Sequence, residues 1–364
     1  MSKIDELIAE YCPDGVRFLA LKDVAQIKNG KDYKHLPDGD IPVYGSGGVM
    51  THVGEASYEG PSVLLPRKGS ISNVFYVDGP FWNVDTIYYT VIDQTLMLPR
   101  FFYHFMLNQH IERLNTSNAA RPALTQAVLN KIVVPVPPLP VQEEIVWILD
   151  SFSTLEAELE AELEARRKQY AHYRDELLSS GDCVSVSISS LATLRDGQRK
   201  PIKKADRTTG GTPYYGASGI IDYVDGYTHD GDYLLISEDG ANLIARSSPI
   251  AFQVSGKTWI NNHAHVLEIS DSYTRRLVEM YINSVDISSY VNVSGQPKLT
   301  KTNLLDMKVK LPPEDKRQEI VEMLDRFDKL TNDLSSGLPA EIEARRRQYE
   351  YYRDRLLSFD RLAA

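Results

Sequence analysis

The chain has 364 residues, with 40 Lys and Arg against 50 Asp and Glu, a formal net charge of −10 and 42% hydrophobic residues. That length suits two or three soluble domains. No apolar run is long enough to span a bilayer and the opening MSKIDELIAEY lacks the apolar core of a secretory signal, so a cytoplasmic location is expected. Two cysteines, Cys12 and Cys183, are too few for a disulfide framework, a Cys-type zinc site or an iron–sulfur cluster, and both are expected as buried small hydrophobes.

Taken in chain order, the sequence repeats itself. Asp5-Glu-Leu-Ile and Cys12 line up with Asp175-Glu-Leu-Leu and Cys183, so the N-terminus begins partway through a repeat. Pro42-Val-Tyr-Gly-Ser-Gly-Gly pairs with Pro213-Tyr-Tyr-Gly-Ala-Ser-Gly. Aliphatic runs at 62–65, 74–77 and 87–92, bounded by Gly, Asp and Pro, predict short strands, and 101–114 predicts a helix. Pro122-Ala-Leu-Thr and Val133-Val-Pro-Val-Pro-Pro correspond to Pro297-Lys-Leu-Thr and Lys308-Val-Lys-Leu-Pro-Pro. In the second copy 233–236 and 265–269 predict strands and 274–284 a helix. Each variable segment is thus a mixed α/β domain of about 125 residues, large enough for its own core.

The strongest match lies after each variable segment. Residues 144–155 (EIVWILDSFSTL) match 319–330 (EIVEMLDRFDKL) at a displacement of 175, and 164–179 (EARRKQYAHYRDELLS) match 343–358 (EARRRQYEYYRDRLLS) at 179. The second copy therefore carries four extra residues, placed around 335–339. The first block has a stripe at spacings of three and four: Ile145, Leu149, Phe152, Leu155, Leu159, Leu163, Arg166, Tyr170, Tyr173, Leu177. The second has Ile320, Leu324, Phe327, Leu330, Leu334, Leu338, Ile342, Arg345, Tyr349, Tyr352 and Leu356. Each predicts a long helix, about 60 Å for 141–180, whose stripe packs on the other helix. Residues 155–166 repeat LEAE-LEAE-LEAR, a run of strong helix formers, whereas Gly337 and Pro339 predict a kink or break in the second helix. The expected division is 1–140, first variable domain; 141–180, first helix; 181–313, second variable domain; 314–360, second helix, interrupted near 335–339. The two helices carry nine of the ten net negative charges, leaving near-neutral variable domains that can still present basic faces.

Catalytic readings find little support. Tyr44-Gly-Ser-Gly-Gly48 lacks the following helix that a dinucleotide fingerprint requires and reads as a turn. His263 and His265 within Asn261-Asn-His-Ala-His265 have no evident third metal ligand, which favours structural or DNA-facing roles. Glu238-Asp239 and Asp38/Asp40 lack a nuclease-like lysine partner, and no P-loop, adenine-methyltransferase motif or nucleophile elbow occurs. The chain reads as a non-enzyme with no catalytic and no metal residues. A coiled-coil interaction scaffold with protein- or sugar-binding α/β domains would explain the acidic helices equally well, but not the paired motifs.

Those motifs are the helix starts Pro137…Gln142…Ile145 and Pro313…Gln318 with Ile320, the opening Cys12-Pro-Asp-Gly-Val16, and paired helices ending QY-x-x-Y-R-D-x-L-L. Over essentially the whole chain they resemble the specificity (S) subunit of type I restriction-modification systems, departing from it in the interrupted second helix. The resemblance implies an α+β architecture: two mixed α/β target-recognition domains related by a pseudo-twofold and separated by two long antiparallel coiled-coil helices. It further implies that each domain reads half of an asymmetric, bipartite double-stranded DNA target. The helices would act as spacer and as docking surface for two methyltransferase subunits, joined in some systems by restriction subunits. S-adenosylmethionine would belong to the methyltransferases, with no cofactor in this chain; each would act on an adenine flipped from the duplex.

Base-reading residues do not carry over from the family. From residue chemistry, Arg and Lys toward guanine edges, Asn toward adenine and Ser toward phosphate, the candidates are Arg67, Lys68, Ser70, Asn73 and Arg121 in the first domain and Lys203, Lys204, Arg207, Arg246 and Lys298 in the second. The helix pair is expected to act as a ruler, one LEAE unit corresponding to about 6 Å.

Overall fold

A computed structural model describes residues 2–115 and 122–362. The chain forms two compact units, 1–161 with 340–364 and 162–339, so the division cuts through the connecting helices instead of falling at their ends.

The two units are built to one plan. In the first, a four-stranded sheet has the order Ala25–Lys28, Ile87–Ile92, Ser62–Pro66, Phe75–Val77. In the second the order is Thr193–Leu194, Ala264–Glu268, Tyr233–Ser237, Ala251–Val254. Strands Ser62–Pro66 and Tyr233–Ser237 are buried at every position, which is why they read as continuous apolar runs instead of alternating ones. A smaller sheet in each unit joins a hairpin, Ile41–Gly45 with Gly48–Val53 or Thr209–Gly216 with Gly219–Val224, to a parallel partner containing Trp82 or Trp259. A separate antiparallel pair brings the start and end of each variable segment together: Arg17–Ala20 with Val133–Val136, and Val184–Ser187 with Lys308–Leu311.

Among the described residues, the longest helix within each variable segment is Pro99–Asn108 in the first and Ser272–Ser284 in the second. Pro99–Asn108 buries Phe101, Phe102, Phe105 and Met106. The helix expected over 101–114 stops early because His110 takes a left-handed backbone (φ 46°), after which Ile111–Leu114 forms a 3-10 turn. Ser272–Ser284 is capped by Asp271, whose side chain accepts from Thr274 N at 2.7 Å.

The first connecting helix runs from Leu139 to Ser179 without interruption. The second is in two pieces, Glu314–Asn332 and Leu338–Leu356. Between them the Asp333 side chain accepts from Ser335 N and from the hydroxyls of Ser335 and Ser336, bonds that hold its carboxyl well below the usual range. Gly337 is a steric requirement here, since a Cβ would lie 2.6–2.9 Å from the carbonyl oxygens of Lys329, Leu330 and Asp333. Pro339 falls in the first turn of the new helix, where its missing N–H costs nothing.

Within the first unit, Phe152 stacks on Tyr352 (centroids 5.5 Å apart) and contacts Tyr349, while Arg346 pairs with Glu156 and Glu160. Rising numbers on one helix meet falling numbers on the other, so these segments are antiparallel. The second unit repeats this with Tyr173 against Phe327 at 6.0 Å and Arg167 donating to Thr331 O. Leu159 and Ile342 are buried, and Leu163, Tyr170 and Leu177 half-buried.

The simple picture of one stripe packed helix on helix needs correction. Ile145, Leu149 and Leu356 belong to the first domain's core, and Ile320 and Leu324 to the second's, because the variable domains cover the starts of the connecting helices and, at Leu356, a helix end. Leu334 is 83% exposed, since the helix has ended at Asn332. The motif register also shifts: the counterpart of the buried Gln142, which bonds Leu98 N, Leu96 O and Pro137 O, is Arg317, bonding Pro312 O and Thr274 Oγ1; Gln318 is exposed. Replacing Leu149, fully buried, by Ala is expected to cost about 2–5 kcal/mol. Leu334→Ala should fall within about 0.5 kcal/mol of the parent; urea unfolding of the two variants measures the contrast.

Candidate nucleic-acid interface

Each variable domain is fastened to its connecting helix by a carboxylate. Asp150 accepts from Arg100 Nε at 2.8 Å and meets His104 Nε2 at 2.7 Å. The Arg100 guanidinium lies over the rings of Tyr76 and Tyr103, 4.8 and 5.0 Å from their centroids. At the position 175 residues on, Asp325 accepts from Arg276, which also reaches Asp328 and Glu279. Burial alone would raise the Asp150 carboxyl, but the bonds from His104 and Arg100 outweigh it and hold the group below the ordinary Asp range. Around Arg276 the carboxylates of Glu279 and Asp325 likewise outweigh burial and keep the guanidinium charged. These anchors were not among the sequence candidates; the available signal was the coincidence of Asp150 and Asp325 under the repeat displacement.

The candidate base readers differ in exposure and in what holds them. Lys68 is about half exposed and pairs with Asp85 at 2.7 Å; Arg67 donates to Asp85 O and lies over the Tyr88 ring; Ser70 is exposed; Asn73 Nδ2 donates to Ser46 O at 2.9 Å. These four belong to one loop, placed beside the glycine turn at 45–48. Lys203 and Lys204 are exposed, whereas Arg207 is held by Asp222 (2.9 Å) over the Tyr214 ring, and Lys298 pairs with Glu238 at 3.0 Å. Arg246 is turned inward: its left-handed backbone (φ 52°) delivers the guanidinium to Ile282 O and Val285 O, and desolvation pulls its pKa down. It is therefore a structural tie instead of an available donor. Arg121 lies outside the described residues.

The two histidines separate as well. His265 is 1% exposed, with Nδ1 2.7 Å from Asp196 and Nε2 donating to Leu299 O. Asp196, Glu238 and His265 have a spacing that could hold a cation. Arg199 and Lys298 already neutralise the carboxylates, so the set is a satisfied buried network. Burial would raise Glu238, yet Arg199 and Lys298 hold it below its usual value. His263 is exposed and its Nδ1 lies 2.8 Å from Asp239. Among the described residues no helix is long and apolar enough to cross a membrane.

The repeated plan has counterparts among known proteins. A family model described as the type I restriction modification DNA specificity domain matches residues 13–165 and again 181–344. The chain belongs to the specificity subunits of type I restriction-modification systems. A putative type I restriction enzyme specificity subunit of Haemophilus influenzae is 36% identical over 194 residues, 52% of this chain and 50% of that protein, so this match spans about half of the relative's length. A type I restriction enzyme specificity subunit of Escherichia coli is 30% identical over 296 residues, covering 74% of this chain and 73% of that one. Among solved structures, the S subunit from Mycoplasma genitalium has a TM-score of 0.63 at 16% identity, covering 94% of this chain and 96% of that one. A chain from a structural study of the assembly and conformational transition of a type I system gives 0.57 at 14%, covering 95% and 98%. Subunits of this class are not catalysts; the methyltransferase is a separate subunit.

The Asp150 anchor gives a pH test. Because Asp150 ionises at lower pH folded than unfolded, its stabilisation is complete above about pH 4 and is lost as pH falls through the depressed native value. Asp150→Asn should cost about 1–2 kcal/mol at pH 7, discounted for partial exposure, and the gap to the parent should close below pH 4. Denaturant midpoints across pH 2–7 check this; a pH-independent gap contradicts it.

Proposed function

We propose that this chain reads an asymmetric, bipartite double-stranded DNA sequence, one half through each variable domain, and positions two adenine methyltransferase subunits on it. The observation that carries this reading is one domain plan repeated with different loop chemistry, in a chain of the specificity family. Identical domains would call for a symmetric target; these keep their strands and change what the loops present. A pseudo-twofold of the kind the repeat implies would have the half-sites read in opposite senses, about one helical turn apart.

On this reading the complex works in the cytoplasm. S-adenosylmethionine is bound by the methyltransferases, the target adenine is flipped into their pocket, and restriction subunits join where the system includes them. This chain's own work is to hold two reading surfaces at fixed spacing and to present helix faces for docking. Lys68, Lys203 and Lys204, with Arg67, Ser70 and Asn73, supply contacts to phosphates and bases on the DNA side.

The test is the spacing. Adding one LEAE unit within 155–166 lengthens that helix by about 6 Å. The methylation motif of the assembled methyltransferase should then keep both half-sites and gain unspecified base pairs between them. An active variant retaining the parental spacer contradicts the ruler. Binding of the assembled complex to its target should also weaken steeply with salt, whereas salt-insensitive association with protein alone would favour a scaffold.

A further inference from the structure

One loop of the repeat preserves its backbone and reverses its charge. After strand Ser62–Pro66 comes Arg67-Lys68-Gly69; after strand Tyr233–Ser237 comes Glu238-Asp239-Gly240. The two loops are held by the same bonds. Leu124 N donates to Arg67 O at 2.7 Å, and Leu299 N to Glu238 O at 2.8 Å. Arg67 N donates to Thr86 O and Glu238 N to His263 O at matching places. Lys68 bridges to Ala123, and Asp239 to Lys298. Both turns use a left-handed glycine, Gly69 at φ 90° and Gly240 at φ 114°. Even the residue beneath corresponds: Tyr88 donates its hydroxyl to Leu124 O where His265 donates Nε2 to Leu299 O.

In the first domain the loop touches the adjoining glycine turn through Asn73 Nδ2 to Ser46 O; in the second the strand residue just before the loop does so, Ser237 Oγ to Ala217 O. Loop and turn form one rim on a common scaffold. What differs is the sign of the charge on the loop itself. The first rim carries Lys68 paired with Asp85, each about half exposed; the second carries Asp239, about one-fifth exposed, paired with the half-exposed His263. Neither pair is needed to close the loop, since backbone bonds do that.

We infer that this loop is the specificity-determining element of each domain and that the two read bases of opposite hydrogen-bonding character. This rests on the DNA-reading function proposed above. Lys68 matches acceptors on a base edge, as guanine O6 and N7 provide. Asp239 matches an amino donor, as cytosine N4 provides, and repels guanine and thymine edges that offer acceptors at that point. His263, with Nδ1 against both oxygens of Asp239, fixes the direction of that carboxylate at the rim. An acid facing a polyanion lowers affinity for every sequence, so its contribution is discrimination instead of tightness. The second domain's reader is thus Asp239 with His263, not the lysines at 203 and 204, which serve phosphates.

The test uses the full chain assembled with its methyltransferase subunits, comparing methylation motifs and DNA affinity for the parent, Lys68→Gln and the isosteric Asp239→Asn. Lys68→Gln should relax a base in one half-site and weaken binding. Asp239→Asn should relax a base in the other half-site, with discrimination there falling about 10-fold or more, while affinity for mismatched DNA stays level or rises. Unchanged motifs in both variants overturn the inference and leave the function standing. Relaxation of the same half-site by both variants also overturns it. Should Lys68→Gln assemble poorly, Lys68→Met is read the same way. A parent complex with no sequence preference overturns the function and, with it, this assignment.

Discussion

The structure depends on one repeated interaction, a carboxylate on the connecting helix that binds cationic side chains of the domain helix. Asp150 gathers Arg100 and His104; Asp325 gathers Arg276. A reading surface is useful only if it cannot rotate against the element that sets its spacing. Apolar contacts such as Leu149 and Leu324 in the domain cores are strong but tolerate small slides. Directional bonds to a single carboxylate do not. The rings of Tyr76 and Tyr103 lie against the Arg100 guanidinium and restrict the direction in which it meets the carboxylate.

From that anchor the rest of each unit can be followed outward. The helix start closes the domain core, the paired ends of the variable segment return to the same point, and the central strand carries its loop to the rim. The halves of the connecting helices pair antiparallel through Phe152 with Tyr352 and Tyr173 with Phe327. The pairing is conserved in plan and not in detail: Arg346 meets two glutamates, whereas Arg167 meets a backbone carbonyl. An asymmetric pair of domains thus sits on helices that are themselves only approximately repeated.

Much of the fold was legible because repeats and periodicity survive in the sequence. The LEAE run gives the Leu139–Ser179 helix, and Gly337 with Pro339 gives the break that ends one helix at Asn332 and starts the next at Leu338. Burial was less legible. Leu149 and Leu334 obey the same spacing, yet one lies in a core and the other is exposed, since periodicity marks a face without saying what covers it. The reading residues were legible only in part. Arg246 has the right chemistry and the wrong direction, because a left-handed backbone turns it onto carbonyls. In the sequence Asp239 reads only as half of an acidic pair lacking a catalytic lysine; its meaning appears beside Lys68 on the same scaffold.

The central claim is that each variable domain reads its own half-site independently on equivalent anchors. The most direct measurement is the methylation motif produced by a chain in which residues 181–313 are replaced by a second copy of 10–138, keeping Asp325 to receive the copied Arg100. The account predicts a symmetric motif made of two copies of the first half-site in inverted order. A motif that keeps the parental second half-site would contradict it.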